Sequence, residues 1–257
     1  MIFDTHSHYD DEAFDADRHE LLSSMPEKGI GWLVNVGADM ASSKAALALA
    51  EQYEYVYASL GVHPSETEAL AETDMDWLQE YAAHKKVVAI GEIGLDYHWP
   101  EPSPDRQRQW FYRQIALAKE VALPVIIHSR DAAAETMQIL TETKAYDGGG
   151  VIHCYSYSPE MAKEYVDMGF YIGVGGVVTF KNAKKLKRTV EEIPLDKLVL
   201  ETDCPYMAPE PHRGARNDSS MLRYVAEKVA ELKGITSQEV IRITTENAAK
   251  LYHLELK

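Results

Sequence analysis

Short apolar runs rich in β-branched residues recur along the chain at even intervals. They are IFDTHSH (2–8), GWLVNVG (31–37), VYASLGVH (56–63), VVAIGEIG (87–94), LPVIIHS (123–129), GVIHCYS (150–156), FYIGVGGVV (170–178) and LVLETD (198–203). Each predicts a strand. Their spacing averages about 28 residues, close to one strand–helix–strand unit. Helical periods fill the gaps: Trp110, Ile115, Leu117, Ala118 and Val121 share a face, and so do Met221, Val225, Val229 and Leu232. Asp131 and Ser158 are expected helix N-caps, and Pro159 suits a first helical turn. Strands apolar on both faces suit a buried parallel sheet. Eight alternating units with no linker predict an α/β fold, a single (β/α)8 TIM barrel spanning residues 1–257 as one domain. A doubly wound open sheet is the alternative.

The chain is 46 % hydrophobic and 26 % charged, which excludes disorder and collagen. Two cysteines, Cys154 and Cys204, are too few for a disulfide scaffold. No basic leader precedes an apolar segment, and no apolar stretch nears the roughly 20 residues of a membrane helix. A cytoplasmic protein is expected, with no membrane association and no obligate protein partner inferred. The 41 acidic and 26 basic side chains leave a net charge of −15. That argues against passive coating of nucleic acid, which needs a basic surface. It leaves room for an enzyme whose local positive charge comes from metal ions.

In barrel enzymes the chemistry gathers where strands end. The ends of the predicted strands carry His6 and His8, His63, Glu92, His128, His153 and Asp203. Five of the ten histidines fall there. His6 and His8 alternate along a strand, so both rings share a face and can grip one ion. Asp4 shares that face and is a candidate support for them. Glu92 interrupts an apolar run, where a carboxylate is costly unless paired or metal-bound. Its neighbours Gly91 and Gly94 leave room for close approach. His128, His153 and Asp203 each have a bland reading alone, as core histidines or a turn cap. Together with His6, His8 and Glu92 they make a six-ligand metal set, of a chemistry that suits Zn, Mn or Mg rather than a calcium cage. Six ligands exceed the three protein ligands of a usual catalytic zinc, so two divalent ions are expected, with Glu92 as the bridge.

The segments FDTHSHYD, GVHP, IGEIGLDY, VIIHSRD, VIHCYS, LETDCPYMAP and HRGARN closely resemble, in order and spacing, the TatD-like metal-dependent hydrolases. The resemblance covers essentially the whole chain. It implies an amidohydrolase-like TIM barrel and a divalent-metal-dependent deoxyribonuclease or phosphodiesterase. It also implies that His6, His8 and Asp203 hold one ion, that His128 and His153 hold the other, and that Glu92 is shared. Two segments depart from the family pattern. His153-Cys154-Tyr155-Ser156-Tyr157 lacks the glycine of HCFTG or HCFSG, and Ala215 replaces a basic residue of RGKRNEP. Both changes touch the loops and leave the metal ligands intact.

The mechanism that follows is a two-ion-activated water attacking phosphorus, with Asp203 and Glu92 as the catalytic carboxylates and DNA or another phosphodiester as substrate, possibly by 3′-to-5′ exonuclease action. The alternatives are an amide, lactone or aminoacyl-ester hydrolase on the same ions, and an idle metal-binding protein. His63, Arg130, Arg213 and Arg216 are expected substrate contacts. Their bland readings are a cap on a Pro turn for His63, pairing with Asp131 for Arg130, and solvated loop charge for Arg213 and Arg216. Tyr97, His98 and Trp99 could stack on a base or pack a lid. Lys181, Lys184, Lys185, Lys187 and Arg188 read as a solvated helix face or, alternatively, as a nucleic-acid track.

Overall fold

A computed structural model describes residues 1–256. The strands are β1 (Ile2–Ser7), β2 (Ile30–Val36), β3 (Val56–Leu60), β4 (Val87–Asp96), β5 (Val125–Arg130), β6 (Gly150–Ile152), β7 (Tyr171–Val174) and β8 (Leu198–Leu200). The helices are α1 (Arg18–Ser24), α2 (Met40–Gln52), α3 (Glu72–Ala82), α4 (Pro104–Glu120), α5 (Ala133–Thr143), α6 (Pro159–Asp167), α7 (Lys184–Glu192), α8 (Leu222–Lys233) and α9 (Ser237–Leu251). The eight strands form one sheet in chain order, and the pairs β3–β4, β4–β5, β5–β6 and β7–β8 are parallel. Among the described residues no helix is long and apolar enough to cross a membrane.

The chain divides into two compact units, Met1–Val34 with the chain from Cys154 onward, and Asn35–His153. In the first unit, β1 is buried throughout and Phe3 packs its ring 5.9 Å from that of Tyr252. The Tyr252 hydroxyl donates to the Thr5 carbonyl at 2.8 Å, and Asn247 donates to the carbonyls of Leu195 and Leu198. α9 thereby fastens the starts of β1 and β8. Past β8, His8 N–H donates to the Cys204 carbonyl and Asp203 N–H to the His6 carbonyl, both at 2.9 Å. These bonds extend the β1 pairing beyond the end of β8.

In the second unit all ten residues of β4 are buried. Gly94, at φ +150°, lies so close to the His128 backbone that a Cβ would sit 1.9 Å from its carbonyl oxygen. Two buried glutamines of α4, seven residues apart and so on one face, clamp strand ends. The Gln114 amide pairs with both N–H and C=O of Val62, just before His63. Gln107 does the same for Asp96 at the end of β4.

Several boundaries differ from the sequence expectation. β6 stops at Ile152 and β8 at Leu200, so His153 and Asp203 lie beyond the strands. Cys154 (φ +45°) and Asp203 (φ +55°) adopt left-handed backbone that no strand accommodates. Asp131 does not cap α5: its φ is +55°, the cap position belongs to Ala132, and its carboxylate faces His98 instead. Ser158 does cap α6, accepting from the Met161 N–H, with Pro159 in the first turn. Neither cysteine forms a disulfide; Cys204 is buried, while Cys154 is half-buried and sits 3.6 Å from the Met207 sulfur.

Candidate metal centre

In the first unit, alternation along β1 brings the imidazoles of His6 and His8 together. Their Nε2 atoms are 3.0 Å apart. Asp203 Oδ1 is 3.8 Å from His6 Nε2 and 3.4 Å from His8 Nε2. Two imidazole nitrogens and a carboxylate oxygen at such separations form a donor set that fits a divalent cation of the Zn, Mn or Fe type. The left-handed turn at Asp203 aims its carboxylate back at β1, a placement strand geometry alone would not give.

Asp4 anchors this cluster. Its buried carboxylate accepts from the N–H and hydroxyl of Thr202, from the Ser219 hydroxyl and from the His6 N–H. Burial pushes its pKa up to about 7, against the lowering effect of those hydrogen bonds. Asp4 therefore ties β1 to the segment carrying Asp203 and to the start of α8. Glu201, also buried, accepts the Cys154 N–H at 2.6 Å and lies against Gly173, where a Cβ would meet its carboxylate.

In the second unit Glu92 is the hub. Its Oε1 is 2.8 Å from His128 Nδ1 and 3.8 Å from both His63 Nε2 and His153 Nε2. On the far side of the His128 ring, Nε2 meets Asp96 Oδ2 at 3.0 Å. Burial disfavours the charged imidazole, yet hydrogen bonds to Asp96 and Glu92 outweigh it and raise the His128 pKa. Asp96 is lowered: burial alone would raise it, but the His128 ring and the His98 N–H hold it ionised. A carboxylate–histidine–carboxylate chain of this kind makes the ring a stronger donor to a cation.

His63 stands near Glu92 but is oriented differently. Its Nδ1 accepts the Ser65 N–H at 3.1 Å, so the neutral ring carries its proton on Nε2, facing Glu92. It caps the turn at Pro64–Glu66 while presenting a donor to the cluster.

The fold thus brings together His6, His8 and Asp203 in one unit, and Glu92, His128 and His153, with His63, in the other. The arginines fare differently. Arg130 is exposed, and among the described residues its guanidinium makes no hydrogen bond or ion pair. Arg213 lies over the Phe180 ring, 4.3 Å from its centroid. Arg216 is committed to structure: it pairs with both carboxylate oxygens of Asp17 at 2.8 and 2.6 Å, donates to the Ala13 carbonyl and covers the Phe14 ring. Tyr97 is likewise engaged, its hydroxyl donating to Glu135 at 2.6 Å, whereas Trp99 is exposed. Sequence reasoning missed Asp96 and Glu201. Asp96 had a signal, since it follows Glu92 by four on the same strand and so shares its face. Glu201 lies off the strand, where alternation predicts nothing.

Comparison with known proteins decides the family. The family described as TatD related DNase matches residues 3–253. The chain belongs to that family. It is 48 % identical over 254 residues to the "Uncharacterized metal-dependent hydrolase YabD" of Bacillus subtilis strain 168, covering 99 % of this chain and 100 % of YabD. It is 32 % identical over 257 residues to the "3'-5' ssDNA/RNA exonuclease TatD" of Cronobacter sakazakii, covering 98 % of this chain and 97 % of that protein. The crystal structure of YjjV, a TatD homolog from Escherichia coli K12, superposes with a TM-score of 0.92 at 32 % identity, covering 99 % of this chain and 98 % of YjjV. This TatD-family chain is a metal-dependent hydrolase, and its fold class is the expected (β/α)8 barrel.

Proposed function

We propose that this single-domain TatD-family hydrolase is a divalent-metal-dependent phosphodiesterase acting on DNA or a related polynucleotide, by exonuclease action from the 3′ end. The observation that carries the reading is the pair of histidine–carboxylate clusters, each with donor atoms within 3.8 Å, in a chain of this family. The exonuclease activity named for the Cronobacter relative supports the choice of substrate.

In this reading His6, His8 and Asp203 would hold one ion, and Glu92, His128 and His153 would hold a second. Bound divalent ions of the Mg, Mn or Zn type would supply positive charge for the developing phosphoryl oxyanion and acidify a water. The chain's own residues do the rest. Asp203 orients the attacking water and accepts its proton at a carboxylate oxygen. His63, with its proton on Nε2, donates to a non-bridging phosphate oxygen. The free guanidinium of Arg130 and the Arg213 side chain position flanking phosphates. Arg216 takes no part in substrate binding, because Asp17 occupies its fork.

The test is a panel of single-stranded DNA, a generic phosphodiester and an aminoacyl ester, assayed on chelated protein restored with Mg²⁺, Mn²⁺ or Zn²⁺ in turn. Metal-restored cleavage of DNA and the generic phosphodiester supports the reading. Metal-dependent ester cleavage without DNA hydrolysis would replace it with a carbon-centred hydrolase.

A further inference from the structure

The basic segment after β7 is not absorbed by the metal clusters. Lys181, Lys184 and Lys185 are exposed, and among the described residues their ammonium groups make no hydrogen bond or ion pair, in a chain whose net charge is −15. Phe180 gathers further cations around them. Arg213 covers its ring, and Lys187 Nζ donates to its carbonyl at 2.6 Å. Arg188, by contrast, is neutralised by Glu160 and Glu192. The loops after β7 and β8 are joined: Glu210 N–H donates to Thr179 Oγ1 at 2.8 Å, and Gly176 approaches the Met207 carbonyl so closely that a Cβ would lie 2.1 Å from it. The loop after β8 also carries Asp203, so Arg213 and the carboxylate of the His6 cluster lie on one stretch of chain.

The placement of these charges works against the local helix. Lys184 and Lys185 occupy the first turn of α7, which has no acidic residue and no side-chain cap. Cations there oppose the helix macrodipole. They are also close in sequence to Lys181 and Lys187, so their mutual repulsion is unrelieved by any carboxylate on the same turn. An external polyanion relieves both costs, and the phosphodiester reading supplies one.

We propose that Lys181, Lys184, Lys185 and Arg213 form an outer subsite that takes backbone phosphates of a polynucleotide strand beyond the bond cut at the metal centre. The proposal rests on the phosphodiesterase reading and sharpens it: the substrate is a polymer several nucleotides long, held by its backbone without base readout. Contacts of this kind release counterions and carry a salt dependence proportional to the phosphates engaged.

The experiment compares wild type with the triple variant Lys181→Gln/Lys184→Gln/Lys185→Gln and a charge-matched control, Lys28→Gln/Lys85→Gln/Lys250→Gln, altering three exposed lysines elsewhere. Binding is read by fluorescence anisotropy with a labelled phosphorothioate oligothymidylate of 15 nucleotides, and with its dinucleotide. Turnover of bis(p-nitrophenyl) phosphate is measured in parallel. The track variant is expected to bind the long strand about 10-fold more weakly or worse, and to lose about 2 from the log–log salt slope, near 0.7 for each of three cations. Its dinucleotide binding and small-ester turnover should match wild type, its melting temperature should be no lower than wild type because cations opposing the α7 dipole are gone, and the control should bind normally. Unchanged binding of the long strand by the track variant, or equal weakening in the control, would overturn the proposal. Wild type that turns over no phosphodiester with any metal would instead fail the parent reading, while the anisotropy data still decide whether the track exists.

Discussion

The His6–His8–Asp203 cluster and the cluster around Glu92 present similar donors, but they are built differently. Glu92 and Asp96 both belong to β4, ten buried residues in a row, and each is 3.0 Å or less from His128 at the end of the neighbouring strand. Two strands in register fix most of that geometry. The other cluster takes two ligands from β1 and a third from a left-handed residue past β8, and depends on buried Asp4 to hold the pieces together. A site made by strand register is robust to change in one supporting group. A site closed by a loop depends on the group that fixes the loop.

The largest effect should come from the hub. Glu92→Gln retains shape but removes the charge that three histidines face, and turnover should fall by about 1,000-fold or more, since on the proposed reading the ion held there loses its carboxylate. Near-normal metal-dependent turnover in that variant would remove Glu92 from the metal site. Asp203→Asn keeps a ligating oxygen but cannot accept a proton. Folded, largely metal-loaded protein with kcat lowered about 100-fold is expected, the usual scale for a lost general base. Normal turnover at full metal content by elemental analysis would remove Asp203 from the chemistry.

The supporting carboxylates sharpen the contrast. Asp96→Asn should weaken metal affinity of the Glu92 cluster by about 10-fold with little change in melting temperature, because Gln107 still clamps the β4 backbone. Asp4→Ala should do more. It removes the carboxylate that accepts from the Thr202 N–H and hydroxyl and from the Ser219 hydroxyl, at a cost of about 1–3 kcal/mol of stability, and loosens Asp203 as well. Equal thermal destabilisation by the two changes would erase the distinction between the clusters.

Much of this organisation is legible in the chain. Period-two alternation identifies His6 and His8 as partners, and an isolated carboxylate in AIGEIG marks Glu92, because both are consequences of strand geometry. Asp203 is legible as a candidate ligand but the sequence misplaces it on a strand, since its left-handed backbone goes with the bonds to β1, not with local propensity. Arg216 is only partly legible for a related reason. Sequence places it in a loop where phosphates bind, but its ion-pair partner, Asp17, lies 199 residues away. The N-cap expected at Asp131 fails because that carboxylate finds His98 from another loop.

The smallest effect separates Arg216 from the substrate contacts. Arg216→Ala should leave KM for DNA within about twofold, whereas Arg130→Ala should raise it, more at low salt than at high salt. The pH dependence provides a second readout. The hydrogen bond and charge of Arg216 hold the Asp17 pKa below the ordinary aspartate value. A depressed carboxylate stabilises the fold above its unfolded pKa and loses that contribution as pH falls through the folded one. In Arg216→Ala the Asp17 pKa, followed by NMR, should return upward, and the stability this pair contributes at pH above the ordinary aspartate range should be lost, so that the two proteins converge as pH falls through the folded Asp17 pKa.

The central claim is that the two clusters are two cation sites that work together. The direct measurement is metal stoichiometry of chelated protein reloaded with Mn²⁺, read by elemental analysis beside phosphodiester turnover. Two equivalents per chain are expected for wild type, with one equivalent and no turnover for both His6→Ala/His8→Ala and His128→Ala/His153→Ala. A single equivalent in wild type, lost entirely when either pair is replaced, would contradict the account.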